Sequence, residues 1–273
     1  MVRYLILISV VLLLQSCFST NSHPTTTASL MPIDTPKETT PEPSTPEAVD
    51  TTIELSYIMG QFDPSTHPDF TKISTKHADR AGLYLRKETY EAFKRMHEAA
   101  LKDDIRLIIR SATRNFAAQK VIWEAKWRGE RLLEGGIHAA RDIPNPKDRA
   151  LKILEWSSMP GSSRHHWGTD IDFNSFVNSY FEKGKGLEEY KWLVEHAGEY
   201  GFCQAYSPKG PERPHGYNEE KWHWSYLPIA QQLTTQARLR LTNDHIKGFE
   251  GHEMAKEIDI VNHYVLGINK ACL

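Results

Sequence analysis

The chain has 273 residues, and its 33 basic and 35 acidic side chains leave it close to electrical neutrality. It has no basic block of the kind that neutralises phosphates, so we expect no nucleic-acid partner. The part from residue 53 to residue 273 has the length of one sizeable domain. It shows no internal repeat, and we expect a single hydrophobic core.

The first residues have the pattern of a secretory signal. Arg3 precedes the apolar run 5–14, which is too short for a spanning helix of about 20 residues. Residues 14–17 (LQSC) resemble a bacterial lipobox, so we expect a lipoprotein signal peptide over 1–16 and lipidation of Cys17. Secretion without a lipid anchor is the alternative.

The next segment, 17–52, is rich in threonine and proline, and we predict that it is a disordered tether. Six of the fifteen prolines lie between residues 19 and 52, and no apolar periodicity appears. Phe18 follows Cys17, whereas an aspartate there is the usual inner-membrane retention signal of diderm bacteria. We therefore expect a membrane attachment through the lipid, in the outer membrane facing the periplasm.

Beyond the tether, apolar spacing predicts a helix over 87–102 and a buried strand over 105–109, which indicates an α+β fold. Two short strands and five further helices follow from the same patterns. The strands are 169–173 and 221–226, and the helices are 115–127, 147–156, 187–200, 228–241 and 254–269. In the first of these strands, Asp170 and Asp172 share one face.

Several catalytic signatures are missing from the sequence. No lysine has a serine three positions before it, and neither a Gly-x-Ser-x-Gly elbow nor a Cys-x-x-Cys pair occurs. The pairs His97-Glu98 and His252-Glu253 lack the second histidine of a His-Glu-x-x-His helix. We expect both pairs on the surface of helices.

Two segments carry a different pattern. In segment 163–172 (SRHHWGTDID), His165 stands seven residues before Asp172, and in segment 220–223 (EKWH), Glu220 stands three residues before His223. Two histidines and one carboxylate form a complete protein ligand set for a catalytic zinc with one open position. Glu220 would then be free to act as the general base for a zinc-activated water.

Together these segments form Ser-x-His-x-x-Gly-x-x-x-Asp followed by Glu-x-x-His, which resembles the LAS metallopeptidases, named for lysostaphin, D-Ala-D-Ala carboxypeptidases and sonic hedgehog. The branch that looks most similar contains the vancomycin-resistance D,D-carboxypeptidases and D,D-dipeptidases. The resemblance implies a small antiparallel sheet that carries the zinc site between flanking helices. It also implies that His165, Asp172 and His223 are the ligands and that Glu220 is the catalytic base.

A third segment, 111–119 (SATRNFAAQ), is similar to the family stretch Ser-Gly-Tyr-Arg-Ser-x-x-x-Gln, although Ala-Thr replaces Gly-Tyr. It carries Arg114 onto the catalytic arginine of the family, which holds substrate and stabilises the oxyanion. Ser163 and Trp222 are candidate substrate-binding residues. Asp170 stands where the family has a small apolar residue, and we expect it to orient a histidine.

His166 is expected to be a hydrogen-bonded neighbour of the site, because adjacent side chains of an extended chain point to opposite faces. Cys203 and Cys272 could form a disulfide in an exported protein, but the spacing leaves this open.

The function implied is a zinc-dependent D-alanyl-D-alanine carboxypeptidase that trims peptidoglycan stem peptides. An endopeptidase, a D,D-dipeptidase and a non-catalytic zinc or peptide-binding module remain alternatives. A carboxypeptidase must also bind the terminal carboxylate of its substrate, and Arg114, Arg164 or Lys221 could supply the cation.

Overall fold

The structure is a computed structural model that describes residues 53–273. The expected signal peptide, the lipidation site Cys17 and the tether lie outside the described residues. Within the described part, no helix is both long enough and apolar enough to cross a membrane.

The strands of the described chain form two antiparallel sheets. They are β1 (Phe70–Lys72), β2 (Tyr84–Arg86), β3 (Ile109–Ser111), β4 (Asp170–Phe173), β5 (Phe202–Gln204) and β6 (His223–Tyr226). Strands β1 and β2 pair with each other, and the others form a four-stranded sheet in the order β3-β4-β6-β5.

Helices flank this sheet. They are α1 (Leu55–Ile58), α2 (Lys87–Lys102), α3 (Phe116–Trp127), α4 (Ala139–Asp142), α5 (Pro146–Ile153), α6 (Gly184–His196), α7 (Leu227–Arg240) and α8 (Met254–Ile258). Their order with the strands confirms the α+β prediction. The Asn115 side chain accepts a hydrogen bond from the Ala118 backbone N–H at 2.9 Å and so caps α3.

The two faces of the four-stranded sheet differ in polarity. In the β4–β6 register, Ile171 is paired with Trp224, and both lie in a buried apolar cluster with Phe93 of α2. The neighbouring pair, Asp172 and His223, lies on the opposite face because side chains alternate along a strand. The pleat therefore directs the acidic and imidazole groups away from the apolar cluster that covers the other face.

Two predicted elements differ from the structure. The run 105–108 is not a strand, since the Ile108 backbone N–H donates to the Asn174 side chain at 2.6 Å instead of to a neighbouring strand, and β3 begins at Ile109. The predicted helix 254–269 stops at Ile258 because Asp259 adopts a left-handed backbone with φ of 55°. A π-helical turn, Val261–Val265, follows.

The expectation that both His-Glu pairs lie on helix surfaces is also wrong. His97 is on α2 but is buried, and its Nδ1 lies 3.0 Å from the carbonyl oxygen of Leu107. His97 stands four residues after Phe93, so it shares the buried face of the helix. His252 precedes α8 and is partly exposed.

A disulfide joins Cys203 of β5 to Cys272, with the two Cα atoms 5.7 Å apart. Sequence spacing alone had left this pairing open. The bond ties the C-terminal turn, Lys270–Cys272, to the edge strand of the four-stranded sheet.

Candidate metal centre and active-site cleft

The three residues expected to bind zinc come together on the polar face of the sheet. His165, Asp172 and His223 are buried, and each offers a ligand atom within 4.8 Å of the other two. His165 Nε2 lies 3.2 Å from Asp172 Oδ2, and His223 Nδ1 lies 3.0 Å from Asp172 Oδ1. Two imidazole nitrogens and one carboxylate at this spacing fit the donor set of a catalytic zinc.

The other nitrogen of each imidazole is held by the protein. His165 Nδ1 donates to the carbonyl oxygen of Ala112 at 2.9 Å, which leaves Nε2 directed at Asp172. His223 Nε2 donates to Asp170 Oδ2 at 2.8 Å, which leaves Nδ1 directed at Asp172. Asp170 thus makes the contact with a histidine that is expected from the sequence. These bonds fix the orientation of both rings before any metal binds.

A tight turn brings His165 to the sheet. His165 lies in a 3₁₀ helix, Arg164–Trp167, and Gly168 then reverses the chain into β4 with φ of 74°. A Cβ atom at Gly168 would lie 2.4 Å from the ring of Phe70, so only glycine fits at this turn.

Electrostatics at the centre follow from burial and close contacts. Burial acts to lower the pKa of His223, but hydrogen bonds to Asp170 and Asp172 outweigh it and raise the pKa to about 10. Burial acts to raise the pKa of Asp172, but His165 and His223 hold it well below its usual range. Asp172 therefore stays ionised, as a cation site requires.

Glu220 lies at the same centre. Its Oε2 is 3.5 Å from His223 Nδ1, and the side chain is buried. Burial raises the pKa of Glu220 to about 8, against the lowering effect of His223. A carboxyl group with a pKa in this range can both take up and release a proton near neutral pH, as general acid–base catalysis requires.

These residues line a cleft with a volume of about 350 Å³. Arg114 and Trp222 line it too, and Trp222 stacks on Trp156 with the ring centroids 5.8 Å apart. The Arg114 Nε is buried and has no hydrogen-bond partner among residues 53–273. The structure thus brings the proposed base, the arginine and one candidate substrate-binding residue around a single cavity.

Ser163 is placed differently. Its hydroxyl is buried and makes no hydrogen bond within the described chain, and the residue is not among those that line the cleft. Its substrate-binding role stays a prediction. His166 is fully buried and bonds to backbone groups of Gly161 and Arg114, as expected, but the local chain is 3₁₀ helical and not extended.

Two of the three cations considered for the substrate carboxylate are occupied elsewhere. Arg164 is buried under the site, where its guanidinium bonds Asp170, Thr234 and Ser225 and lies 4.4 Å from the centroid of the Trp167 ring. Lys221 Nζ pairs with Glu182 at 3.2 Å. Neither of these two cations lines the cleft.

The cleft also contains residues that the sequence did not point to. Lys126 of α3 and Arg131 line it, as does Tyr206, whose ring centroid lies 4.5 Å from that of His223. The sequence offered one signal for Lys126, which lies about three turns along a helix that begins just after Arg114 and so stays near the same cleft. Nothing in the local pattern identifies Arg131 or Tyr206.

The donor set beside a buried carboxylate fits a mononuclear metal centre of the kind that hydrolyses peptides. Residues 82–229, more than half of the chain, match the VanY family, described as D-alanyl-D-alanine carboxypeptidase. The chain belongs to this family, which confirms the resemblance seen in the sequence.

Two curated relatives cover part of the chain. It is 32% identical over 148 residues to the putative carboxypeptidase YodJ of Bacillus subtilis, a match covering 53% of this chain and 46% of that protein. It is 30% identical over 78 residues to an uncharacterized protein of Haemophilus influenzae, covering 28% of this chain and 53% of the relative. The chain therefore spans about half the length of the curated relatives it matches.

Solved structures with some likeness include VanYB in complex with D-alanine-D-alanine, at 23% identity and a TM-score of 0.44, covering 66% of this chain and 85% of that chain. A mutant of the vancomycin-resistance D,D-pentapeptidase VanY in complex with Zn(II) has 22% identity and a TM-score of 0.44. That match covers 74% of this chain and 99% of the VanY chain. The LD-carboxypeptidase LdcB has 20% identity and a TM-score of 0.45, and the match covers 77% of this chain and 81% of the LdcB chain.

Proposed function

We propose that this chain is a zinc-dependent D-alanyl-D-alanine carboxypeptidase that removes the last residue of peptidoglycan stem peptides. The observation that carries the proposal is the convergence of His165 Nε2, Asp172 and His223 Nδ1 in a cleft that also holds Glu220. Membership of the VanY family supports the substrate class.

His165, Asp172 and His223 would hold the zinc, which when bound makes water more acidic and polarises a carbonyl group. Glu220 accepts the proton of the attacking water and passes it to the leaving amine, which it can do from a buried position within the cleft. Arg114, whose Nε has no partner in the described chain, offers a donor to the negative charge that develops on the carbonyl oxygen.

The surrounding residues act by position. Ala112 and Asp170 hold the two imidazoles in orientations that direct His165 Nε2 and His223 Nδ1 into the centre. Burial of the cleft floor excludes most water, so charge interactions there are stronger than at the surface. This arrangement hydrolyses whichever amide the cleft admits, and the shape of the cleft decides between substrates.

The test is to incubate the purified chain with muramyl pentapeptide, free D-Ala-D-Ala and cross-linked muropeptides, and to identify the products by mass spectrometry. We expect single D-alanine from the pentapeptide, a reaction that a zinc chelator stops and that penicillin leaves unchanged because no serine is acylated. Cleavage only of the free dipeptide would indicate a dipeptidase, and cut cross-links an endopeptidase. No product from any substrate would favour a binding module.

We further propose that lipid on Cys17 attaches the protein to the outer membrane, with the tether 17–52 carrying the domain into the periplasm. The support is the sequence pattern alone: the apolar run 5–14, the LQSC segment and the proline-rich composition that follows. Such a tether would let the domain reach a substrate that is fixed in the wall.

A further inference from the structure

The cleft holds more positive charge than the proposed chemistry uses. Four basic side chains line it: Arg80, Arg114, Lys126 and Arg131. Arg80 pairs with Asp79 at 3.1 Å. Within residues 53–273, no carboxylate lies at ion-pair distance from any of the other three. Arg114 is already assigned to the oxyanion, so Lys126 and Arg131 have no assigned role.

Three buried or half-buried basic groups elsewhere in the domain are paired with carboxylates. Arg164 contacts Asp170 at 3.3 Å, Arg86 contacts Asp69 at 3.3 Å, and Lys221 is bound by Glu182. An ammonium group that loses water without gaining a counter-ion costs free energy. Arg213 is buried without a carboxylate partner, but its guanidinium donates to the carbonyl oxygens of Ser207, His215 and Tyr217. Lys126 is half-buried and, within residues 53–273, has neither a carboxylate nor a carbonyl partner at its Nζ, so an anion from outside the protein would stabilise its charge.

The surroundings of Lys126 hold the charge at the cleft wall. Its Nζ donates to Ser157 Oγ at 2.5 Å, a neutral partner. Burial, together with repulsion from Arg131 and Arg114, lowers the pKa of Lys126 to about 8, so the side chain is still mainly protonated at neutral pH. A bound anion would relieve both the burial cost and the repulsion.

Lys126 also lies at a suitable place on α3. Ile122, one helical turn earlier, lines the same cleft, so the helix presents an apolar side chain followed by a cation. In a peptide that ends in alanine, the free carboxylate follows the scissile amide within one residue, about 4 Å of chain. The group that binds this carboxylate must therefore share the cleft with Glu220, and Lys126 does.

We propose that Lys126, with Arg131 beside it, binds the terminal carboxylate of the substrate and so selects chain ends over internal amide bonds. The inference rests on the proposed peptidase function, and it names the cation that the sequence could not identify. Arg164 and Lys221 cannot serve, because each is already bound to a carboxylate of the domain.

The test compares a pentapeptide that has a free C-terminal carboxylate with the same peptide as its C-terminal amide. We expect Lys126→Met to lower kcat/KM for the free acid by about tenfold to a hundredfold, mostly through KM, as for loss of a charged hydrogen bond. Hydrolysis of the amide should not change. Lys126→Arg should keep most of the preference for the acid, because it keeps the charge.

Lys120→Met is the matched control. Lys120 lies on the same helix, but its Nζ donates to the Gly248 carbonyl outside the cleft. The substitution removes one charge from α3, and we expect both peptides to be hydrolysed as before. An equal fall in kcat/KM for the acid and the amide in Lys126→Met would overturn the proposal, since it would mean that Lys126 supports the fold and does not bind the carboxylate.

A binding measurement separates this proposal from the function on which it rests. Calorimetry with Glu220→Ala protein should show tighter binding of the peptide acid than of the amide, and adding Lys126→Met should remove the difference. If the unaltered chain cleaves neither peptide, the peptidase function fails while the binding result still decides the role of Lys126. Equal binding of acid and amide, or a preference that survives Lys126→Met, would overturn the proposal.

Discussion

Loss of the Arg164 guanidinium should destabilise the domain by an amount that the contacts allow us to estimate. The side chain is 1% exposed, and the guanidinium contacts Asp170 at 3.3 Å. Arg164→Met keeps the volume that packs on Trp167 but leaves a carboxylate buried without its cation. Removing one partner of a buried ion pair costs about 3–5 kcal/mol.

The lower end of that range is expected, because Asp170 keeps three other contacts. Thr169 Oγ1 and Ser225 Oγ each donate to it at 2.7 Å, and His223 Nε2 lies 2.8 Å away. For a domain of this size, about 3 kcal/mol corresponds to a fall in Tm of roughly 6–12 °C.

Thermal unfolding of chelated protein measures the effect without a contribution from bound metal. Adding Asp170→Asn to Arg164→Met should recover part of the loss, because the unpaired charge is removed. Lys256→Met is the control: Lys256 and Asp244 form a pair whose side chains are 77% and 78% exposed, and its loss should cost less than about 1 kcal/mol. If Arg164→Met lowered Tm by less than about 2 °C, the buried pair would not contribute as argued.

Four further predictions concern the site and the anchor. Glu220→Ala should keep zinc and fold but lose nearly all turnover, whereas Arg114→Ala should lose roughly a hundredfold to a thousandfold in kcat; near-normal rates in the first variant would contradict the mechanism. Asp172→Ala should abolish zinc binding as measured by metal analysis, and unchanged zinc content would show that the ligand was misassigned. KM for the peptide acid should rise as pH increases through about 8, where Lys126 loses its proton, and Lys126→Arg should remove this rise; a rise that persists would point to another group. Cys17→Ser should release the protein from membranes without altering the domain, which detergent partitioning would show, and retention in the detergent phase would indicate another anchor.

Local patterns predicted those parts of the molecule that depend on nearby residues. The helix over 87–102 is found with the predicted bounds, and Asn115 caps the helix predicted over 115–127, because periodicity and capping act within a few residues. The alternation in 169–173 predicted correctly that Asp170 and Asp172 share a face. Tertiary contacts decided where strands and long helices end, as at Asp259, whose left-handed conformation no periodic pattern signals.

The sequence alone determined the family, the residues that could bind a metal and the candidate base, because those residue types stand at fixed spacings in order along the chain. Only the folded chain decided which groups have partners. Cys203 meets Cys272 across 69 residues, Arg164 is occupied by a buried carboxylate, and Lys126 faces the cleft with no counter-ion in the described chain. The physical reason is that pairing and burial depend on distances between segments far apart in sequence, which spacing along the chain does not contain.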